Sequence, residues 1–129
     1  MSYMFHNATS FKGDISEWNT SKVANMSNMF NSASSFNGDI TTWDTSSVQA
    51  MSYMFHNATS FNQDISSWDT SNVIDMTAMF NSASYFNQDL SQWCVSNIMS
   101  SPSAFYGSGA TWTLPKPVWG TCPRGEDAL

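Results

Sequence analysis

Apolar and polar residues alternate along this chain with a period of 25 residues. Blocks that begin at Met1, Met26, Met51 and Met76 align without a gap over residues 1–100, and we call them coils 1 to 4. In each block the apolar residues at positions 1, 4, 5 and 8 have the spacing of one helix face. A single aliphatic residue at position 15 stands between polar neighbours, which suits a short strand. The pattern therefore predicts one short helix and one short strand in every coil, which in coil 1 are a helix over residues 1–9 and a strand over residues 11–18.

A gapless repeat of this length predicts a stack, because one coil alone cannot bury its apolar face. We expect an α/β solenoid of four 25-residue coils, each a short helix plus a short strand, followed by a C-terminal cap. Like side chains of successive coils should then lie above one another. The expected core ladder consists of the phenylalanine and tryptophan columns: Phe5, Phe30, Phe55, Phe80, Trp18, Trp43, Trp68 and Trp93.

The chain divides into three segments on this interpretation. Residues 1–100 form the repeat, and a weaker 50-residue rhythm lies over it, because HNATS recurs in coils 1 and 3 while NSAS recurs in coils 2 and 4. Residues 101–123 break the pattern with glycine and proline, and we expect them to cap the last apolar coil. Residues 124–129 are expected to form a disordered tail.

The phrase MFxxAxxFNxDISxWDTSxV, which runs through the coils, is similar to the repeat of the BspA-type leucine-rich-repeat family of bacterial surface proteins, including its mycoplasma-type repeat of unknown function. The resemblance covers residues 1–100. It implies a right-handed, leucine-rich-repeat-like solenoid on secreted or surface-anchored proteins, some of which are adhesins. Met, Phe and Trp stand where that family has mostly leucine. The resemblance carries no catalytic motif with it.

The two cysteines, Cys94 and Cys122, are separated by 28 residues, which is close to one coil. Residues in neighbouring layers have a Cα separation of about 5 Å, which is within the range that a disulfide requires. We therefore predict a disulfide that fastens the cap and stabilises the fold by on the order of 3 kcal/mol. Two free thiols are the alternative. A disulfide would indicate an oxidising compartment.

Charge and hydropathy narrow the classes of function. Four Lys and Arg residues stand against ten Asp and Glu residues, which gives a formal charge of −6. Such a chain cannot neutralise a run of phosphates, so we expect no nucleic-acid partner. No apolar run approaches the roughly 20 residues that cross a bilayer. The N-terminus also lacks the layout of a signal peptide. We expect no membrane insertion and no signal peptide in this chain.

The polar residues recur as columns and form no unique constellation of the kind that catalysis needs. We find no Ser-His-Asp or Cys-His pairing and no phosphate-binding glycine loop, so we expect neither an enzyme nor a cofactor. The column of Asp14, Asp39, Asp64 and Asp89 has two interpretations. Each carboxylate could accept hydrogen bonds from the backbone N–H groups of a turn. Calcium bound between coils, with help from the neighbouring aspartates Asp44 and Asp69, is the alternative. It lacks the ligand spacing of a recognised calcium loop, so we predict no metal site.

The predicted surface feature is a flat ribbon rich in carboxylates and hydroxyls, suited to an extended partner or a glycan. Its candidate residues are Asp14, Ser16, Asp39, Thr41, Asp64, Ser66, Asp89 and Ser91. The predicted function is a non-enzymatic repeat scaffold for protein–protein or adhesive binding, located outside the cell or at its surface. The partner, whether protein or glycan, is unknown.

Two other functions stay open. A carbohydrate-binding module would need the tryptophan column to point outward and stack on sugar rings. An ice-binding solenoid would use regular hydroxyl columns: Thr20, Thr45 and Thr70, with Ser16, Thr41 and Ser66.

The start of coil 1 leaves apolar residues such as Phe5, Phe11 and Trp18 without a covering coil. Exposed apolar patches usually mark an interface. We expect either a homodimer through this uncapped N-terminal coil or a chain cut from a longer solenoid.

Overall fold

The computed structural model describes residues 1–107 and 111–123. Within these ranges the chain contains no α-helix, and its only β-structure consists of isolated parallel bridges. The bridges pair Asn25 with Ala50, Ala50 with Asp75, and Phe80 with Tyr106. The backbone is a succession of turns, and the coils stack through hydrogen bonds between residues about one repeat apart.

The predicted α/β solenoid, with a helix and a strand in every coil, is therefore wrong. Residues 1–9, expected to be helical, form consecutive turns in which alternate N–H groups bond the carbonyl three residues earlier. Examples are Met4 to Met1 at 3.3 Å, His6 to Tyr3 at 3.1 Å and Ala8 to Phe5 at 3.0 Å. Residues 11–18, expected to be a strand, take part in no bridge. The expected tail, residues 124–129, lies outside the described residues.

Left-handed backbone at the third and seventh positions of each coil is what prevents a helix. The residues concerned have φ between 54° and 63°: Tyr3, Asn7, Asn28, Ser32, Tyr53, Asn57, Ala78 and Ser82. None of them is glycine, and an L-residue in this region costs about 1–2 kcal/mol. The apolar spacing that suggests a helix is also produced by successive turns, so periodicity alone does not separate the two.

The left-handed residues direct alternate N–H groups toward the next coil. One row runs through the phenylalanines at position 5, which donate to the carbonyls of Met29, Met54, Met79 and Phe105 at 2.8–2.9 Å. Parallel rows begin at Tyr3 and Asn7, which donate to Ser27 and Asn31. In these three rows each N–H points toward the C-terminal end of the stack and each accepting carbonyl points toward the N-terminal end.

Aromatic rings fill the space inside the turns. Phe5, Phe30, Phe55 and Phe80 form a column with centroid separations of 5.5, 5.6 and 5.5 Å and nearly parallel planes. A second column contains Phe11, Phe36, Phe61 and Phe86, with separations of 5.7, 6.1 and 5.9 Å. Within each coil the two rings stack at 4.1–4.3 Å. Like side chains therefore lie above one another through the stack.

The tryptophan column is buried in coils 2 to 4 and joins each coil to the one before it. Trp43, Trp68 and Trp93 donate their indole N–H groups to the carbonyls of Ile15, Ile40 and Ile65, each at 3.0 Å. Each of these carbonyls also accepts the backbone N–H three residues later, so the indole bond is its second hydrogen bond and is the one that joins two coils. Trp18, which has no coil above it, is 40% exposed.

The closing segment, residues 101–107 and 111–123, lies against coil 4. Trp112 packs edge-on against Phe80 and Phe86 and donates its indole N–H to the carbonyl of Gln88 at 2.9 Å. A disulfide joins Cys94 to Cys122 with an S–S distance of 2.02 Å. The predicted disulfide is confirmed.

Two exposed serines of coil 4 test the left-handed backbone. Ser82 has a φ of 62°, whereas Ser84 is not among the residues with positive φ. Ser82→Gly relieves steric strain in the folded state, and this gain offsets the conformational entropy that glycine adds to the unfolded chain. Ser84→Gly adds the same entropy and relieves no strain. We expect the free energy of unfolding of the Ser82→Gly variant to exceed that of the Ser84→Gly variant by about 1 kcal/mol. Urea unfolding measures the difference, and equal values would contradict it.

The tryptophan bonds predict a second contrast. Trp43→Phe removes the indole donor that joins coil 2 to the Ile15 carbonyl and leaves a void, so the free energy of unfolding should fall by about 2–3 kcal/mol. Trp18→Phe is the matched control, because Trp18 has no earlier coil to bond and is partly exposed. Its expected cost is about 1 kcal/mol or less. Equal losses in chemical denaturation would show that the bond to the preceding coil adds nothing.

Candidate binding face

The eight predicted surface residues lie in four equivalent turns, one in each coil. The aspartates are exposed, and the hydroxyl residues two positions later are partly buried. In coil 1, Asp14 Oδ1 accepts hydrogen bonds from the Ser16 backbone N–H at 3.0 Å and from the Ser16 hydroxyl at 2.7 Å. We call this row of turns the acidic face: Asp14, Ser16, Asp39, Thr41, Asp64, Ser66, Asp89 and Ser91.

The other three turns repeat this geometry. The backbone N–H groups of Thr41, Ser66 and Ser91 donate to the Oδ1 atoms of Asp39, Asp64 and Asp89 at 2.9–3.0 Å. The hydroxyls of Thr41 and Ser91 add bonds of 2.6 Å. Each carboxylate therefore caps a turn of its own coil, which is the first of the two interpretations made from the sequence. No described residue donates to its second oxygen, Oδ2.

A second row of turns follows five residues later in coils 1 to 3. Asp44 Oδ1 accepts from the Ser46 N–H and hydroxyl at 3.0 and 2.6 Å, and Asp69 accepts from Ser71 at the same distances. In coil 1 the amide oxygen of Asn19 takes this role. Because Asn19 forms the same turn as the aspartates, the turn needs an oxygen acceptor and not a charge.

These hydrogen bonds favour the ionised carboxyl groups. The pKa of Asp14 is lowered, first by the backbone N–H of Ser16 and then by its hydroxyl. The pKa values of Asp39 and Asp89 are also lowered, first by the hydroxyl two residues on and then by the backbone N–H. Asp14 acts against this at Asp39, because a neighbouring negative charge raises the pKa of that group. The carboxyl groups of Asp14, Asp39 and Asp89 therefore stay charged at neutral pH.

An open groove crosses the acidic face between coils 3 and 4. It has a volume of about 410 Å³ and is lined by Ser66, Ser67, Asp89 and Gln92. Polar side chains thus surround it, and one of them is a carboxylate from the predicted face. A second groove, of about 300 Å³ between coils 1 and 2, is lined by Lys12, Ser35, Asn37 and Gly38.

An asparagine ladder beside the face is a feature that the sequence analysis missed. The side-chain oxygen of Asn37 accepts from the Asn62 backbone N–H at 2.8 Å, and Asn62 accepts from Asn87 in the same way. Asn87 then accepts from the N–H of Thr113 in the closing segment at 2.9 Å. The sequence does carry a signal for this ladder, because position 12 of the repeat is asparagine in coils 2 to 4 and Lys12 in coil 1.

Residues 1–107 and 111–123 contain no group of three or more His, Cys, Asp or Glu side chains that could hold a metal ion. The calcium alternative therefore has no ligand cluster in this part of the chain. The same residues include no helix with the length and apolar character needed to span a bilayer.

The turn carboxylates predict an acid dependence of stability. Folding lowers the pKa of Asp14, Asp39, Asp44 and Asp89 below the ordinary value of 3.8. Their contribution is complete above that value and is lost as the pH falls through the lower folded-state values. We expect the urea midpoint to fall as the pH drops below about 4. The double variant Asp39→Asn/Asp44→Asn keeps the acceptors but not the titration, so its midpoint should fall less steeply. Identical acid profiles for the two proteins would contradict the assignment.

Comparison with known proteins identifies a family but no activity. The family described as Mycoplasma protein of unknown function, DUF285, matches residues 1–114, which include all four coils and the start of the closing segment. No curated protein and no solved structure matches the chain. The resemblance to a mycoplasma-type repeat is thereby confirmed, and the BspA-type leucine-rich-repeat assignment is not. The chain therefore belongs to the Mycoplasma family of unknown function DUF285.

Proposed function

We propose that this protein is a non-enzymatic binding module that holds an extended, positively charged polypeptide along its acidic face. The observation that carries the proposal is the row of four exposed carboxylates in which the turn fixes Oδ1 and no residue of the described ranges donates to Oδ2. Fixed acceptors lose little conformational freedom on binding, which favours affinity. The repeat spaces them regularly, as an extended chain requires.

The charge of the whole molecule supports a basic partner. The formal charge is −6, and the chain has four Lys and Arg residues. A surface field of one sign attracts partners of the other sign and raises their association rate. The groove beside Asp89 offers room for a side chain that reaches in from the partner.

The other two functions considered from the sequence have less support. Trp43, Trp68 and Trp93 are at most 4% exposed, so this column offers sugar rings no platform in coils 2 to 4. The hydroxyls of Thr20, Thr45 and Thr70 are also buried, and they donate to carbonyls of the next coil at 2.8–3.0 Å. An ice-binding surface would have to form without them.

We further propose that the protein works outside the cell or at its surface, with adhesion as one use of the acidic face. The Cys94–Cys122 disulfide supports this location, because disulfides persist mainly in oxidising compartments. A relationship to BspA-type surface proteins would agree with it.

A pair of double variants tests the acidic face. Asp39→Asn/Asp64→Asn removes two charges from the face in coils 2 and 3 and keeps the turn acceptors. The control, Asp44→Asn/Asp69→Asn, removes two charges from the second row of turns in the same coils. We expect the first variant to bind a synthetic lysine-rich peptide about tenfold more weakly, since each lost surface ion pair weakens binding by about threefold.

The control variant should bind the same peptide within about threefold of the parent protein, since its lost charges lie outside the proposed site. Calorimetric titration at two salt concentrations measures both effects, and added salt should weaken binding to the parent. Equal weakening in the two variants, or binding without salt dependence, would contradict a site on the acidic face.

A further inference from the structure

The outer edge of coil 1 carries three unused acceptors. In coil 2, the carbonyls of Ser27, Met29 and Asn31 accept the N–H groups of coil 1 at 3.2, 2.9 and 2.8 Å. The equivalent carbonyls of coil 1 belong to Ser2, Met4 and His6, and no residue in the described ranges donates to them. We call these three groups the carbonyl edge.

The surface beside the carbonyl edge is the apolar face that a neighbouring coil covers elsewhere in the stack. Residues 1–11 and 51–61 have the same sequence, so coil 3 shows the effect of a coil placed above it. Met4 is 50% exposed in coil 1, whereas its counterpart Met54 is 0% exposed. Trp18 is 40% exposed, and no residue in 1–107 or 111–123 accepts its indole N–H, whereas Trp68 is 1% exposed and bonded.

The side chains at this edge also show which type of coil fits. In coil 3, His56 Nδ1 lies 3.1 Å from Asn31 Oδ1, and the Ser52 hydroxyl donates to the Ser27 hydroxyl at 3.0 Å. Both partners belong to coil 2, which is of the NSAS type. Coil 1 has the same histidine and serine, His6 and Ser2, and both are exposed. A coil with the pattern of residues 26–50 would supply the matching asparagine and serine.

A second copy of this chain does not supply the missing donors. Two coils 1 placed head to head would set one carbonyl edge against another, which pairs acceptors with acceptors. A head-to-tail contact is blocked, because the N–H groups of Ala78 and Phe80 in coil 4 already donate to Ser103 and Phe105 at 2.9 and 2.8 Å.

We propose that the outer surface of coil 1 is a docking site for one further coil of the same repeat, with the pattern of residues 26–50. The site continues the interface that already joins coils 1 to 4. The added coil would donate three backbone N–H groups to the carbonyl edge. Its position-15 carbonyl would accept the Trp18 indole N–H, as Ile40 does for Trp68.

The test joins a copy of residues 26–50 directly ahead of Met1 in the full chain. The control carries the same 25 residues in scrambled order. Hydrogen exchange should slow by about 100-fold at the added amides equivalent to Asn28, Phe30 and Ser32, the factor given by three hydrogen bonds of ordinary net strength. The Trp18 indole N–H should be protected as well.

Two results would overturn the proposal. One is an added coil whose amides exchange as fast as those of the scrambled control, with Trp18 unchanged. The other is a parent protein that sediments as a dimer with a protected Trp18 indole N–H, since the site would then take a second copy. A monomeric parent across a wide concentration range, together with a protected added coil, supports it.

Discussion

The fold depends on rows of hydrogen bonds that all point in one direction. Left-handed residues at two positions of each coil turn the N–H groups at positions 3, 5 and 7 away from their own coil, where each finds a carbonyl of the next. The strain of these residues is local, whereas the bonds join whole coils. A coil without its neighbours would keep the strain and lose the bonds, so the conformation is stable only in the stack.

The aromatic interior follows from the same constraint. Hydrogen bonds hold neighbouring coils at a constant spacing, and the phenylalanine rings of successive coils lie 5.5–6.1 Å apart with nearly parallel planes. The tryptophans of coils 2 to 4 and the buried threonines Thr20, Thr45 and Thr70 each donate to a carbonyl of an adjacent coil. In the described ranges, no buried side-chain nitrogen or oxygen lacks a partner. Aromatic rings and methionines occupy much of this core, and the aliphatic residues at positions 15 and 23 of the coils complete it.

The sequence predicted the layering and the disulfide well and the backbone poorly. A column such as Phe5, Phe30 and Phe55 can be read directly from the aligned repeats, and so can the separation of the two cysteines. The left-handed positions are not, because Tyr3 and Ala78 carry no sign of positive φ and only glycine or asparagine would suggest it. The acidic turns could be predicted from Asp followed two residues later by Ser or Thr. The asparagine ladder could not, because its bonds join coils whose spacing depends on that backbone.

The separation between bonded partners has a consequence for how the chain acquires its shape. The bonds that hold the coils together join residues 24 to 28 apart, as in Phe5 to Met29 and Trp43 to Ile15. During synthesis, coil 1 therefore forms none of these bonds until coil 2 has left the ribosome. Order should spread from one coil to the next in the direction of synthesis, and the closing segment can lock the structure only after residues 101–123 have been translated.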